Sequence, residues 1–172
     1  AEGETAAVKK TFTGGTQEIT AVTIPATVAV TQGDYLHATG QDGSTYAVWL
    51  DIDAAGIVPT GVLYTAATNK IKVSIVTGGT AAANAALFRA AVVANAAWVA
   101  DFTSSAVVTA TITFTQVLGG AATDMAPKTE NDGGAGSIGT STSTPGANGA
   151  GIVIGTDKIT STSHGFVTGD SI

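Results

Sequence analysis

The chain has 172 residues and a formal net charge of −6, and only 12% of its residues are charged while 44% are hydrophobic. This acidic balance argues against a nucleic-acid-binding surface, because such surfaces neutralise phosphates with clustered Lys and Arg. The absence of cysteine excludes disulfide scaffolds and thiolate metal sites, and no segment of the sequence approaches the roughly 20 apolar residues of a membrane span.

The first half of the chain alternates apolar and polar residues with the period of two that is typical of β-strands. After a polar arm at residues 1–15, strands are predicted at residues 17–24, 35–39, 45–53 and 70–77. The Asp42-Gly43 pair predicts a tight hairpin between the second and third strands, because glycine supplies the positive φ that such turns need. The side chains of the third strand that we expect to face the core are Tyr46, Val48, Leu50 and Ile52.

The second half begins with a predicted helix at residues 80–99, which is rich in Ala and contains neither Gly nor Pro. Thr80 is its expected N-cap. The apolar stripe expected to pack on the sheet consists of Leu87, Ala91, Ala94 and Trp98. One long strand is predicted at residues 102–115, with short strands considered at 62–64 and 137–141. This order of elements predicts an α+β, β-rich fold, in which one helix packs on a mostly antiparallel sheet.

Four segments are expected along the chain: the arm at 1–15, an α+β module at 16–142, a Gly-rich linker at 143–155 and the start of a further β module at 156–172. The linker belongs to a Gly-, Ser- and Thr-rich C-terminal segment, whose composition is typical of flexible connections. The last residues read TDKITSTSHGFVTGDSI. A new strand is expected to begin at Ser171, and half a hairpin buries little surface, so we expect the chain to continue past Ile172.

Four phrases in the middle of the chain, together spanning roughly residues 8–138, carry a resemblance. They read QEITAVTIP, GDYLHATGQDGSTYAVWLDIDAAG, IKVSIVTGGTAAANAALFRAAV and DFTSSAVVTATITFTQVLGGAATDMAP. Their order resembles an α+β module of phage virion structural proteins, found in tail fibres, tail tips and capsid-attached proteins. The terminal HGFVTGD resembles the opening of a small β module of phage tail fibres. The resemblance carries no catalytic residues and implies a virion location with a structural or adhesive role.

Two acidic turns are weak candidates for calcium. Asp51 and Asp53 precede Gly56 with a spacing similar to the start of a calcium loop, and Asp132 lies in a second acidic turn. However, the third oxygen ligand and the distal Glu of such a loop are missing. We therefore predict no metal site, with Asp51, Asp53 and Asp132 as the weak calcium candidates.

The sequence predicts neither catalytic residues nor a cofactor. His37 and His164 are isolated, and no serine lies in a G-x-S-x-G motif. The glycines at 78–79 precede a helix but lack the Lys and the spacing of a phosphate loop, so a strand-to-helix turn capped by Thr80 explains them better. The glycines at 133–136 are followed by no predicted helix, which excludes a dinucleotide-binding fingerprint.

Trp49 and Tyr64 are the binding candidates, because exposed aromatic rings can stack on sugars. The predicted function is that of a non-enzymatic phage virion structural protein, most simply a tail-fibre or tail-tip component. The alternatives are a capsid decoration protein or head fibre, a receptor- or glycan-binding adhesin module, and a bacterial surface filament subunit.

The expected partners are further copies of the chain and other virion proteins, with a host surface glycan or receptor as a further candidate. Neither nucleic acid nor membrane insertion is expected. The polar arm and the Gly-rich stretch have no periodic apolar face of their own. We therefore expect residues 1–15 and 133–155 to contact another chain, with the arm extending a neighbour's sheet.

Overall fold

The alternating segments of the sequence form β-strands in the part of the chain that the computed structural model describes, residues 15–121 and 123–147. The strands are β1 Ile19–Thr23, β2 Tyr35–Thr39, β3 Thr45–Ile52, β4 Asn69–Ile75, β5 Phe102–Ser104, β6 Thr111–Gln116, β7 Ala126–Lys128 and β8 Gly139–Thr144. The helices are α1 Val62–Ala66, α2 Ala81–Val93 and α3 Ala96–Asp101. The predicted α+β, β-rich class is confirmed.

The strands form two four-stranded sheets rather than the single predicted sheet. Sheet 1 has the order β5-β6-β1-β8 and is antiparallel throughout, whereas sheet 2 has the order β4-β3-β2-β7. Within sheet 2 only the β3–β4 pair is parallel. The predicted hairpin between β2 and β3 is present, with Gly43 at a φ of 87° and the Asp42 carboxylate accepting the Ser44 N–H at 2.7 Å.

The main core lies between the inner faces of the two sheets. As predicted, Tyr46, Val48 and Leu50 of β3 are buried there. The register places Val48 between Leu36 of β2 and Ile71 of β4, which produces a continuous apolar surface across sheet 2. Sheet 1 contributes Val22, Ile112 and Phe114 from the opposite side. The helices α2 and α3 complete this core.

The predicted helix at 80–99 is two helices, because the chain leaves the helical path at Asn95. Thr80 caps α2 as predicted, with its Oγ1 accepting the Ala83 N–H at 3.2 Å, and the Asn95 side chain caps α3. The predicted stripe is wrong at Leu87, which is 44% exposed, and at Ala94, which is exposed just after the end of α2. The buried side chains of α2 include Ala85, Phe88 and Val92, whereas the expected burial of Trp98 is confirmed.

Two other predicted segments fold differently. Residues 102–115 form the β5–β6 hairpin instead of one strand, since the chain reverses before Thr111 with Thr109 at a φ of 58°. Residues 62–64 belong to α1 rather than to a strand. The predicted edge strand near 137–141 is confirmed as β8, whereas β7 was not predicted.

Residues near the two ends of the described part meet at one end of sheet 1. Ala147 donates its N–H to the Thr16 carbonyl at 3.1 Å, next to β8, which runs to Thr144. Residues 1–14 and 148–172 lie outside the described part, so the predicted arm and further β module, and all four domain boundaries, remain predictions. Within the described part, no helix combines the length and apolar character needed to cross a membrane.

Candidate functional site

The residues singled out in the sequence gather around one feature, the crossover at residues 53–68 that joins β3 to β4. These two strands are parallel, and a parallel pair needs a connection that runs over one face of the sheet. The crossover contains α1 and covers the outer face of sheet 2, opposite the main core. Trp49 lies beneath it and Tyr64 belongs to its helix, while Asp51, Asp53 and Asp132 lie at its borders.

The two binding candidates are core side chains. Trp49 is 5% exposed and Tyr64 is 6% exposed, and their ring centroids are 6.5 Å apart in an edge-to-face arrangement. Tyr35 packs against Tyr64 in the same manner at 5.8 Å, and Ala47 and Ala67 complete this second cluster. Neither ring is therefore exposed for stacking, because the outer face of β3 is covered by its own crossover.

Asp132 fastens the start of α1 from a position far along the chain. Its carboxylate accepts the Tyr35 hydroxyl through one oxygen and the Leu63 N–H at 2.8 Å through the other. Burial would raise the pKa of Asp132, but these hydrogen bonds and the nearby Lys128 hold that pKa below its ordinary value. Burial, together with Asp132, raises the pKa of Tyr35. Gly61 allows this approach, since a Cβ there would collide with the carboxylate.

Lys70 fastens the other end of α1. Its Nζ donates to the carbonyls of Thr65 and Ala67 at 3.1 and 2.9 Å, and it lies 5.5 Å from the centre of the Tyr64 ring. An anion at the first turn and a cation at the last turn both complement the helix dipole. The small helix α1 is thus held in place from both ends by charged side chains.

Asp51 is fully buried and organises the turn after β3. Its Oδ1 accepts hydrogen bonds from the Gly56 N–H at 2.9 Å and the Gln32 side chain at 3.0 Å. Its Oδ2 lies 3.5 Å from the Lys72 ammonium. Burial would raise the pKa of Asp51, but these three groups together lower it. The second oxygen of the Asp51 carboxylate therefore already faces a cation, the Lys72 ammonium.

Asp53 is exposed and holds the segment after β4. Its two oxygens accept the Thr77 hydroxyl at 2.5 Å and the Thr77 N–H at 2.8 Å, which lowers its pKa. Each weak calcium candidate thus already binds protein donors. Within residues 15–121 and 123–147, no three or more His, Cys, Asp or Glu side chains lie close enough together to hold a metal ion.

The remaining motifs have structural positions. His37 is half-buried on the outer face of sheet 2, between Ala47 and Ala126. Burial and the charge of Lys128 lower its pKa, which Asp132 opposes. The glycines at 78–79 form the predicted strand-to-helix turn, with Gly78 at a φ of 79°. His164 lies outside the described residues.

Sequence reasoning missed Tyr35 and Lys70 as partners of this crossover. The available signal was the length of the stretch at 53–68, which is too long for a hairpin turn and indicates a parallel crossover. It also missed two buried carboxylates, each with one oxygen that has no hydrogen-bond partner in the described part of the chain: Glu18 Oε2 and Asp34 Oδ1. The other Asp34 oxygen accepts the Ser137 N–H at 2.7 Å.

Comparison of the chain with protein-family models, curated proteins and solved structures finds no match. The resemblance to phage virion modules therefore remains a prediction from the sequence. The geometry itself establishes how the charged side chains around the crossover are used. They bind backbone groups of the surrounding loops and hold a short helix against a sheet.

Proposed function

We propose that this chain is a non-enzymatic structural protein of a phage virion, present in multiple copies and most simply a component of the tail fibre or tail tip. The motif order quoted above favours this placement. The observation that carries the proposal is that aspartate carboxylates form hydrogen bonds between distant parts of the chain. Such bonds make the domain rigid, as a structural subunit requires.

Four aspartates share this role. Three of them accept a backbone N–H from a distant loop or element, in the pairs Asp34 with Ser137, Asp53 with Thr77 and Asp132 with Leu63. Asp51 accepts the Gly56 N–H within its own turn and binds a distant segment through the Gln32 side chain. These bonds restrain the turns at the ends of the strands, where small domains are usually most mobile. Hydroxyl pairs such as Thr23 with Thr111, 2.9 Å apart, cover the outer surface of sheet 1 without charge.

The alternatives differ in the support they receive. A capsid decoration protein or head fibre would need the same rigid block, so only location separates it from a tail component. A glycan-binding module loses its main argument, because Trp49 and Tyr64 are buried. A bacterial filament subunit would depend on donation of the arm at 1–15, most of which lies outside the described residues.

The proposal includes a set of partners. The chain associates with further copies of itself and with other virion proteins, and it is located in the extracellular particle. A host surface receptor remains a further candidate partner. The proposal involves no cofactor, no nucleic acid and no membrane insertion.

Gradient-purified particles test this proposal. Quantitative mass spectrometry should detect the chain at a constant ratio to the major capsid protein, and gold-labelled antibodies against the folded protein should mark the tail. Label on the head would favour the decoration alternative. Absence from particles, or label on the surface of uninfected cells, would contradict a virion role.

A further inference from the structure

The two sheets end in four outer strands, β4, β5, β7 and β8, and three of these are protected against pairing with another chain. The strands β5 and β7 have only three residues each, and Pro127 in β7 has no N–H to offer. The longer β4 carries Lys70 and Lys72, and lysine is a common safeguard of an edge strand. The least protected is β8, whose six residues include neither a charge nor a proline. Its pairing with β1 is regular from Gly139 to Thr142, and the one register shift lies near its Thr144 end.

The ladder geometry shows which backbone groups of β8 point outward. At the two ends of β1, the Glu18 carbonyl accepts the Gln116 N–H and the Ile24 N–H donates to the Ala110 carbonyl. The backbone N–H and C=O groups of the even-numbered residues in this segment therefore point toward β6. The odd-numbered residues therefore pair with β8, and Ala21 lies opposite Ser141. It follows that the N–H and C=O groups of Thr140 and Thr142 point away from β1. No strand of the described part pairs with that side of β8.

We infer that β8 is an interface through which two copies of this chain pair edge to edge, antiparallel, to form one continuous sheet. A second copy fits because β8 is self-complementary. Pairing about a two-fold axis places the same strand of each copy side by side, so that like side chains face one another. Lysines in this position would repel each other, whereas hydroxyl groups can form hydrogen bonds. Hydroxyl contacts across strands already occur here, since the Thr20 and Thr142 hydroxyls are 3.3 Å apart. The same symmetry applied to β4 would oppose its lysines.

This inference rests on the proposed assembly role and names one surface for it. Six residues of strand bury far less than the roughly 1,000 Å² of a stable dimer interface, so the contact is weak between free copies. It strengthens when copies are held together in a particle, because the effective concentration of the second strand is then high.

Cysteine scanning tests the pairing, since the natural chain contains no cysteine. Single cysteines at each position of β8 are compared in the full chain with Ser74→Cys, a matched exposed position on β4. Under mild oxidation at high protein concentration, at least one β8 variant should form disulfide-linked dimers at least ten-fold faster than Ser74→Cys. If the β8 variants and Ser74→Cys formed dimers at equal rates, the inference would be overturned. Equal rates are also the result expected if another segment of the same chain covers β8.

A second pair of variants tests the edge without cross-linking. Ser141→Lys gives β8 the safeguard that β4 has, and Ser74→Lys is the control with the same added charge. Sedimentation equilibrium should show the natural chain and Ser74→Lys self-associating, with Ser141→Lys at least ten-fold weaker. A natural chain that stays monomeric up to its solubility limit, or equal association of both variants, would overturn the inference. These measurements use purified protein, so their failure is distinguishable from absence of the chain in particles.

Discussion

The molecule contains two apolar clusters that are held together in different ways. The main core lies between the sheets and is filled by side chains that follow the strand and helix periods. The second cluster lies under the crossover and consists of Tyr35, Ala47, Trp49, Tyr64 and Ala67. The helix α1, which covers this cluster, is held at its start by Asp132 and at its end by Lys70. The first cluster therefore follows from apolar periodicity, whereas the second also depends on hydrogen bonds from Asp132 and Lys70 that hold α1 over the rings.

The centres of the two clusters illustrate this difference. In the main core, the Trp98 ring lies 4.6 Å from Phe102, 5.1 Å from Phe114 and 5.3 Å from Tyr46, measured between ring centroids. Removing one ring there leaves a cavity among other rings. In the second cluster, the helix that covers the rings is a single short turn, and such helices are not stable alone. Its position depends on Asp132 and Lys70.

The largest expected effect is in the main core. Trp98 is fully buried, and Trp98→Ala should lower the free energy of unfolding by about 3–5 kcal/mol because the cavity cannot close. Leu87→Ala, on the exposed side of α2, is the control and should cost less than about 1 kcal/mol. Denaturant unfolding measures both. Similar losses for the two variants would mean that Trp98 is not the centre of the core.

The next effect tests the fastening of the crossover. Asp132→Asn keeps the shape of the side chain, and Asn tolerates the φ of 63° at this position. It should lower the free energy of unfolding by about 1–3 kcal/mol, because hydrogen bonds to a charged acceptor weaken. Tyr35→Phe should give a smaller loss, and the double variant should lose less than the sum.

Trp49 offers an independent measurement of the same fastening. The chain has two tryptophans, so a Trp98→Phe background leaves Trp49 as the single fluorescent reporter beneath α1. Asp132→Asn in this background should shift the Trp49 emission to longer wavelength, because water reaches the ring when α1 loosens. Two results together would show that packing alone holds the crossover. These are an unchanged Trp49 emission and a double variant of Asp132→Asn and Tyr35→Phe that loses as much free energy of unfolding as the sum of the single variants.

A smaller effect concerns the break between α2 and α3. The Asn95 side chain accepts the Trp98 N–H at 2.9 Å, so this polar cap positions the central ring of the main core. Asn95→Ala should cost about 1 kcal/mol, and Thr80→Ala, which removes the cap of α2, provides the matched comparison. Thermal unfolding followed by circular dichroism measures both. A rise in stability for Asn95→Ala would mean that the chain prefers the continuous helix predicted from the sequence.

The same contrast explains what the sequence could and could not predict. The side chains of β3 that face the core could be predicted from the alternation of apolar and polar residues. The N-cap at Thr80 could be predicted because a threonine directly precedes the helical segment. The helix stripe failed at Leu87 because the helix breaks at Asn95 and its buried face is centred on Phe88. The contact between Asp132 and Leu63 joins residues 69 positions apart, so no local pattern reveals it.

The aspartates of the crossover illustrate a second limit of the sequence. Asp51 and Asp53 have a spacing that suits both the start of a calcium loop and a turn stapled by backbone N–H groups. Only the positions of Gln32, Lys72 and Thr77 distinguish the two arrangements. These partners come from other strands and loops. Whether the two aspartates bind a calcium ion or backbone N–H groups therefore depends on the tertiary fold.

The smallest expected effect is the dependence of stability on the protonation of Glu18, a carboxylate with one oxygen unsatisfied in the described part of the chain, and Asp132 serves as the comparison. Glu18 is 2% exposed, and its Oε1 accepts the Thr20 hydroxyl at 2.9 Å while Oε2 has no hydrogen-bond partner among the described residues. Burial raises the pKa of Glu18, and this effect, with the charge of Asp124, outweighs the hydrogen bonds from Thr20 and the Met125 backbone, which lower that pKa. A raised carboxyl pKa means that the folded state loses stability as pH rises from about 4.3, the unfolded value, to the folded pKa.

Asp132 has the opposite sign. Its lowered pKa contributes stability that is present above about 3.9, the unfolded value, and is lost as pH falls through the folded pKa. At pH 7, Glu18→Gln should therefore raise the melting temperature while Asp132→Asn lowers it. Both differences should shrink toward pH 3, because the natural side chains are then increasingly protonated. Melting curves of the two variants and the natural chain from pH 3 to 8 measure this, and a lower melting temperature for Glu18→Gln at pH 7 would show that the Glu18 carboxylate is stabilised in its charged form.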